Sequence, residues 1–241
     1  MKKFLLLTAT AAVALSAQSQ RYFTGGYQWA TMTQSNNNVN RVVEATNLYF
    51  GTDEKQIGYL SDMSGIVWGF GATDEHWGIE MIFDYKKAGL GTLEGIDPWG
   101  QPFENSFRVK HNGFRYIVFY NIWRSELSRF SVGASMDLYN FKLYNWSTDQ
   151  NKWRRANEGL HMNGATTFNA QVVLALGEAV GIRIMPYYQV PRNGSGGVED
   201  LWTEGSGVTF ITDLVAGELR DMKMWSNNYG IQAGIVIGMG D

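Results

Sequence analysis

The sequence predicts an all-β fold, an eight-stranded antiparallel up-and-down transmembrane β-barrel with short periplasmic turns and long extracellular loops. Three observations lead to this prediction. Eight stretches alternate apolar and polar residues, the connections between them run long, short, long, short, and a segment typical of a cleavable export signal precedes them. An even number of strands with three short turns and four long loops is the topology expected of a barrel that crosses a membrane.

Residues 1–19 have the features of a signal peptide. Lys2 and Lys3 precede an apolar run from Phe4 to Leu15, and Ala17 and Ser19 supply the small residues that a signal peptidase reads. We predict cleavage after Ser19, which leaves residues 20–241 as one barrel domain. An N-terminal helical anchor is less favoured, because the apolar run is shorter than the roughly 20 residues that span a bilayer.

The composition excludes several classes of function. Export removes two lysines and no acid, so the formal net charge moves from −3 to −5, which argues against a nucleic-acid partner. The 28 glycines, the many aromatic residues and a charged fraction of only 18% are atypical of helical globular domains. With no Cys, the chain has no disulfides, thiolate metal sites, thiol nucleophiles or lipid attached through Cys.

The first half of the chain predicts four strands. Strand 22–34 follows the signal and ends at an asparagine-rich loop, 35–63. Strands 66–73 and 77–86 are separated only by Asp74-Glu75-His76, a tight hairpin connection. Several Gly and Pro residues then mark 89–105 as a second long loop, and strand 107–122 follows.

The second half predicts the other four strands. Strand 130–144 follows the polar turn 124–128, and the charged segment 146–163 is the third long loop. Strands 166–176 and 180–190 flank Gly177-Glu178-Ala179. The longest loop, 191–227, precedes the closing strand, 228–239.

The strands of membrane barrels and of water-soluble barrels both alternate apolar and polar residues, so the character of the apolar face decides between the two classes. In the third strand, Trp77, Ile79, Met81, Phe83 and Tyr85 oppose Gly78, Glu80, Asp84 and Lys86. A secreted soluble barrel would carry long charged side chains over its outer positions, whereas here most Lys and Arg are expected in the loops. The apolar face is therefore predicted to contact lipid, with interfacial aromatics at Trp77, Phe130, Tyr85, Tyr188 and Tyr229.

This pattern resembles that of small eight-stranded bacterial outer-membrane β-barrel proteins, the group that includes the OmpA transmembrane domain and the OmpX-like and OmpW-like proteins. The resemblance covers nearly all of the mature chain and carries no diagnostic motif. It implies localisation in the bacterial outer membrane, contact with outer-membrane lipid and insertion by the barrel-assembly machinery. Such barrels usually end on an aromatic residue, whereas this chain ends at Asp241.

An eight-stranded barrel has an interior only wide enough for side chains or one small ligand. Charges inside it need partners, because an isolated buried charge is costly. We therefore predict a polar network in the lumen formed by Glu80, Asp84, Arg115, Asp137 and Arg183. A narrow channel for small solutes is the alternative.

A lipid-modifying enzyme is a second alternative, since outer-membrane barrels of this size that modify lipids use a Ser/His pair or a His with an acid. His111 with Ser106 or Ser135 is the best candidate pair, whereas His76 lies in a turn and His161 in a loop. Such pairs arise by chance in any barrel of this size. No catalysis, cofactor or metal site is expected.

The loops carry the candidate contacts with other molecules. Trp153, Arg154 and Arg155 lie in the third long loop, and Trp202 and Trp225 lie in the fourth. Exposed aromatics above a membrane are candidates for contact with another envelope protein, a sugar or a lipid headgroup, or they pack on one another. The expected function is that of a non-enzymatic structural or adhesive surface protein, or an accessory subunit of an envelope complex.

Overall fold

The computed structural model describes residues 20–33, 40, 43–44, 47–48, 56–96, 100, 102–147, 151–155, 162–194 and 227–238. The predicted signal peptide lies outside these residues. The strands are β1 (Gln20–Met32), β2 (Asp62–Thr73), β3 (Trp77–Ile96), β4 (Pro102–Arg124), β5 (Ser128–Ser147), β6 (Lys152–Arg155), β7 (Asn163–Ala175), β8 (Val180–Gly194) and β9 (Asn228–Ile237). No helix in this part of the chain is long and apolar enough to cross a membrane.

Eight of these strands close into a barrel, as predicted. Every neighbouring pair is antiparallel and consecutive around the barrel, except that β5 pairs with β7. β9 returns to β1, with Phe23 opposite Ile237 and Met32 opposite Asn228. The short β6 pairs only with the last residues of β5 and lies outside the closed ring. Within the closed ring, each of the eight strands is paired on both sides.

The three short connections lie together at one end of the barrel, which we call the turn end. Asp74 fixes the first, since its Oδ1 accepts the backbone N–H groups of His76 and Trp77 at 2.7 and 2.6 Å. Ser125 closes the second by donating its backbone N–H to the carbonyl of Ser128. The opposite end, where the longer connections lie, is the loop end.

The prediction of a second long loop at 89–105 is wrong. β3 continues to Ile96 and β4 begins at Pro102, so the hairpin extends well beyond the rest of the barrel. A β-bulge between Gly89 and Gly91 accommodates the extra residue Leu90, and Gly91 takes a φ of 94° that favours glycine. Pro102 is tolerated because it is the first residue of its strand.

The third predicted loop, 146–163, is also shorter than expected. β5 continues to Ser147, and the four residues of β6 pair antiparallel with the end of β5. The ladder continues because β5 is paired with the long strand β4 as far as Ser147. The barrel therefore carries a sheet of three long strands, β3 to β5, above its loop end.

The apolar face of the barrel points outward, as predicted, along a band adjoining the turn end. On β4, Val118, Tyr120 and Ile122 are outward and exposed, whereas Ile117 and Phe119 are fully buried inside. β7, β8 and β9 repeat this arrangement, with outward residues such as Phe168, Ile184 and Ile235. The inward positions of the same strands carry Thr167, Arg183 and Gln232. This part of the molecule is apolar outside, and its interior combines polar side chains with small apolar clusters.

Beyond this band the alternation inverts. Inward positions near the loop end form a buried apolar cluster, the mouth core, which includes Leu90, Leu93, Phe107, Val109, Phe141 and Leu143. Val43, Ile57 and Leu60, from the first long connection, pack into the same cluster. Asn40 holds this segment by donating to the carbonyl of Leu60 and accepting its backbone N–H, at 3.2 and 2.6 Å. The mouth of the barrel is therefore filled by apolar side chains.

The outward face just beyond the band is cationic on β3, β4 and β5. Lys87, Arg108, Lys110 and Lys142 all lie on strands there, so the expectation that most Lys and Arg are confined to loops is wrong. The cations sit above the apolar band, and for this reason they do not interrupt it.

Candidate functional site

The lumen contains buried side chains of both charges. Seven charged residues there are at most 5% exposed: Glu80, Asp84, Lys86, Arg115, Arg129, Asp137 and Arg183. They include all five residues of the predicted polar network. Four basic groups face three carboxylates, so the charges nearly balance. Such near balance is what a low-dielectric interior requires.

The lower cluster, near the turn end, consists of Tyr22, Thr24, Glu80 and Arg183. The Arg183 guanidinium donates from Nη1 to Glu80 Oε1 and from Nη2 to Thr24 Oγ1, the latter at 3.2 Å. Tyr22 and Thr24 donate their hydroxyls to the two oxygens of Glu80 at 3.3 and 3.2 Å. Every Glu80 oxygen is thereby satisfied, and the pair spans the lumen between β3 and β8.

The central cluster lies one level higher and consists of Gln28, Asp84, Arg115 and Gln232. Arg115 donates from Nε and Nη2 to Asp84 Oδ2, at 3.1 and 2.9 Å. Its Nη2 also donates to Gln28 Oε1 at 3.1 Å, and Gln232 donates to the same oxygen at 2.7 Å. Gly113 faces Asp84, and a Cβ there would lie 2.8 Å from a carboxylate oxygen. Glycine therefore makes the space that this cluster occupies.

Asp137 lies beside the central cluster and has its own set of donors. Its Oδ2 is 3.9 Å from Arg115 Nε and accepts from Gln189 Nε2 at 2.6 Å. The hydroxyls of Ser135 and Thr167 also donate to this carboxylate. Asp137 thus connects β5 to β7 and β8 across the lumen.

His111 forms no pair with either candidate serine. Its Nδ1 lies 3.0 Å from Asp84 Oδ1, and its ring stacks on Tyr139. Ser106 is on the opposite face of β4, hydrogen-bonded to Thr92, and Ser135 donates to Asp137. The arrangement needed to activate a serine is therefore not present at either position.

Sequence reasoning did not identify the neutral members of these clusters. Tyr22, Thr24, Gln28, Gln189 and Gln232 share the inward parity of their strands with the charged residues. That parity was a usable signal. The alternation predicts Lys86 on the inward face, and in the structure its Nζ lies 3.8 Å from Asp84 Oδ1.

A vestibule of about 890 Å³ opens at the turn end. Glu75, His76, Arg124 and Glu178 are among the residues that line it. Asn121 also lines this vestibule and donates to Thr73 Oγ1 at 3.1 Å, while Ser131 donates to Asn121 Oδ1 at 2.7 Å. In the described residues, no group of three or more His, Asp or Glu side chains could hold a metal ion.

The predicted loop contacts are only partly within the described residues. Trp153 is half-buried on β6, with its ring 5.7 Å from that of Trp146 and 4.0 Å from the Arg108 guanidinium carbon. Arg154 and Arg155 belong to the same strand. Trp202 and Trp225 lie outside the described residues.

No protein-family model matches the chain, and no curated protein matches it. Among solved structures, the chain is similar to Neisserial surface protein A, with 9% identity, a TM-score of 0.45 and coverage of 91% of this chain and 97% of that one. It is similar to Ail, the attachment invasion locus protein of Yersinia pestis, with 9% identity, a TM-score of 0.44 and coverage of 91% and 99%. It is similar to the outer membrane protein OprG from Pseudomonas aeruginosa, with 7% identity, a TM-score of 0.47 and coverage of 91% of this chain and 95% of that one.

These similarities are too distant to assign a family or an activity. The architecture rests on the strand pairings themselves, which close an eight-stranded antiparallel barrel.

Proposed function

We propose that this protein is an integral outer-membrane β-barrel whose lumen is occluded and which acts through its outer surface, as a non-enzymatic structural or adhesive protein or an accessory subunit of an envelope complex. One observation carries the proposal. The lumen is filled at three successive levels, by the charge-paired lower and central clusters and by the apolar mouth core. A barrel filled in this way offers its surface to partners and has no open bore.

The width of the apolar band supports placement in a membrane. On β4 the outward apolar residues extend from Phe114 to Ile122, and on β5 from Phe130 to Leu138. Strands that cross a bilayer at a tilt need about 9–11 residues, and both runs reach this length. An exposed apolar surface that encircles the molecule is unstable in water, whereas lipid accommodates it.

The extended sheet supports a role at the cell surface. β3, β4 and β5 carry their ladder past the band, and the mouth core packs against their inner face. This makes a rigid platform, with Trp146 and Trp153 in edge contact at its outer part. Aromatic side chains on a rigid element are common anchors for protein partners. Another envelope protein is the partner we propose for this platform.

Single-channel recording in planar bilayers tests the occluded lumen. We expect the refolded full barrel to give no steady conductance steps. A variant that removes both lumen guanidiniums and truncates the mouth core, R115A/R183A/L93A, is expected to leak, whereas Arg124→Ala, at an exposed turn-end position, serves as the control and stays silent. Steady steps from the unaltered protein would overturn the proposal.

A narrow channel for small solutes is the second candidate. The turn-end vestibule favours it, as does Gln171, a buried lumen side chain whose amide atoms have no hydrogen-bond partner among the described residues. Unpartnered buried polar groups are sites for ordered water. The same recordings separate the two candidates, because a channel gives solute-selective steps that an occluded barrel does not.

A further inference from the structure

We propose that the outward face of β3, β4 and β5 binds the phosphorylated headgroups of outer-leaflet lipids through a row of lysines, Lys87, Lys110 and Lys142. The inference deepens the proposed function and rests on it, since it requires the apolar band to be embedded in lipid. The main support is the register of these strands. Lys87 is directly opposite Lys110, and Lys110 is directly opposite Lys142.

Three adjacent lysines on one face of a sheet are unfavourable by themselves. Directly opposite residues have Cβ atoms about 5 Å apart, and like charges at such positions destabilise the sheet. In the described part of the chain, no carboxylate forms an ion pair with any of the three. An external anion shared between the ammonium groups removes this repulsion.

The row lies where lipid phosphates are expected. The next outward position of each strand toward the band carries Tyr85, Asn112 and Asn140. The amide of Asn112 donates a hydrogen bond to Asn140 at 3.2 Å. The next step is the apolar set Phe83, Phe114 and Leu138. The outward surface thus passes from apolar to amide to cationic within three steps along the strands, which matches the passage from acyl chain to headgroup.

Neighbouring aromatic rings orient two cations of this face, Lys110 and Arg108. Lys110 Nζ lies 4.3 Å from the centroid of the Tyr144 ring. In the next row, the Arg108 guanidinium lies 4.0 Å from the Trp153 ring and 5.2 Å from the Tyr144 ring. Cation–π contacts orient a cation and leave its charge available. Arg108 Nε is buried and has no hydrogen-bond partner among the described residues.

The acidic residues of the same face are far from the row. Glu94 and Glu104 are paired near the tip of the β3–β4 hairpin. Lys110 and Glu104 are six positions apart on β4, a distance of roughly 20 Å along a strand. The cations are therefore next to the band and the carboxylates are remote from it, as an anionic lipid surface favours.

The test is native mass spectrometry of the full barrel in neutral detergent, titrated with phosphatidylglycerol or with phosphatidylcholine. Each lysine near an anionic surface is expected to contribute about fivefold to the affinity. The variant K87Q/K110Q/K142Q should lose about a hundredfold in affinity for phosphatidylglycerol, and K110Q alone about fivefold, with phosphatidylcholine unaffected. The matched control K152Q removes one cation from an exposed position outside the row and should change affinity less than twofold, against the fivefold loss for K110Q.

Three results would overturn the inference. They are equal phosphatidylglycerol affinity for the unaltered protein and the lysine variant, an equal loss in the control, and displacement of the lipid by millimolar inorganic phosphate, which would indicate a free-anion site. Each variant is first checked for the gel shift between unboiled and boiled samples. Absence of that shift in the unaltered protein contradicts the proposed membrane barrel itself, whereas the lipid titration concerns the row alone.

Discussion

Removing the guanidinium of Arg183 is expected to destabilise the barrel strongly. Arg183 and Glu80 are 3% and 1% exposed, and Arg183→Met leaves the Glu80 carboxylate with only the hydroxyls of Tyr22 and Thr24. Breaking a buried ion pair by deleting one partner costs about 3–5 kcal/mol, because the remaining charge stays buried without compensation. With a urea dependence of about 1–3 kcal/mol per molar, the unfolding midpoint should fall by at least about 1 M.

The assay is the fraction of protein that migrates as the folded form on unboiled gels after equilibration in urea and lipid vesicles. The control is the double variant E80Q/R183M, in which neither charge remains. Contacting residues couple by about 0.5–3 kcal/mol, so the double variant should be more stable than the sum of the two single effects predicts. A cost for Arg183→Met below about 1 kcal/mol, the range of solvent-exposed pairs, would refute the reasoning, since it would mean that the lumen is open to water.

Three further predictions concern other parts of the barrel. Gly113→Ala should destabilise it by about 1–3 kcal/mol in the urea assay, because its Cβ pushes Asp84 away from Arg115, whereas Gly89→Ala, with open space around it, should be near neutral. Leu93→Ala, in the mouth core, should lower the local stability of the loop-end sheet by about 2–5 kcal/mol and so increase its proteolysis on intact cells. Unchanged proteolysis would contradict a packed mouth. Ile184→Arg, in the middle of the apolar band, should lower the free energy of unfolding by about 2–4 kcal/mol. Thr166→Arg, at the edge of the band, should lower it by only about 0–1 kcal/mol. Equal effects of the two variants would contradict contact with lipid.

The apolar band could be predicted from the sequence because its strands follow one rule, the alternation that is typical of barrels in lipid. Outward positions must be apolar, so residues such as Ile235 alternate with inward polar residues such as Gln232. The same rule placed Glu80, Asp84, Arg115, Asp137 and Arg183 inside. Which charge meets which could not be predicted, because Arg183 and Glu80 are 103 positions apart and meet only once the closure order and register are fixed.

The loop end was harder to predict for a physical reason. Above the band the alternation inverts at residues such as Phe141 and Leu143, which are apolar and buried, so it no longer has the pattern of a membrane strand. Gly91 and Pro102 favour a loop in the sequence, whereas in the structure a bulge and the start of a strand accommodate them. Contacts through Trp202 and Trp225 stay predictions.

The central claim is that the apolar band of a closed barrel faces outer-membrane lipid. The most direct test is gel mobility of the detergent-extracted membrane fraction, with and without boiling. The account predicts a heat-modifiable band that is found in outer membranes, because a closed barrel resists detergent unfolding until it is heated. An unshifted band in the soluble fraction would contradict it, since the exposed apolar face would then have no lipid to cover it.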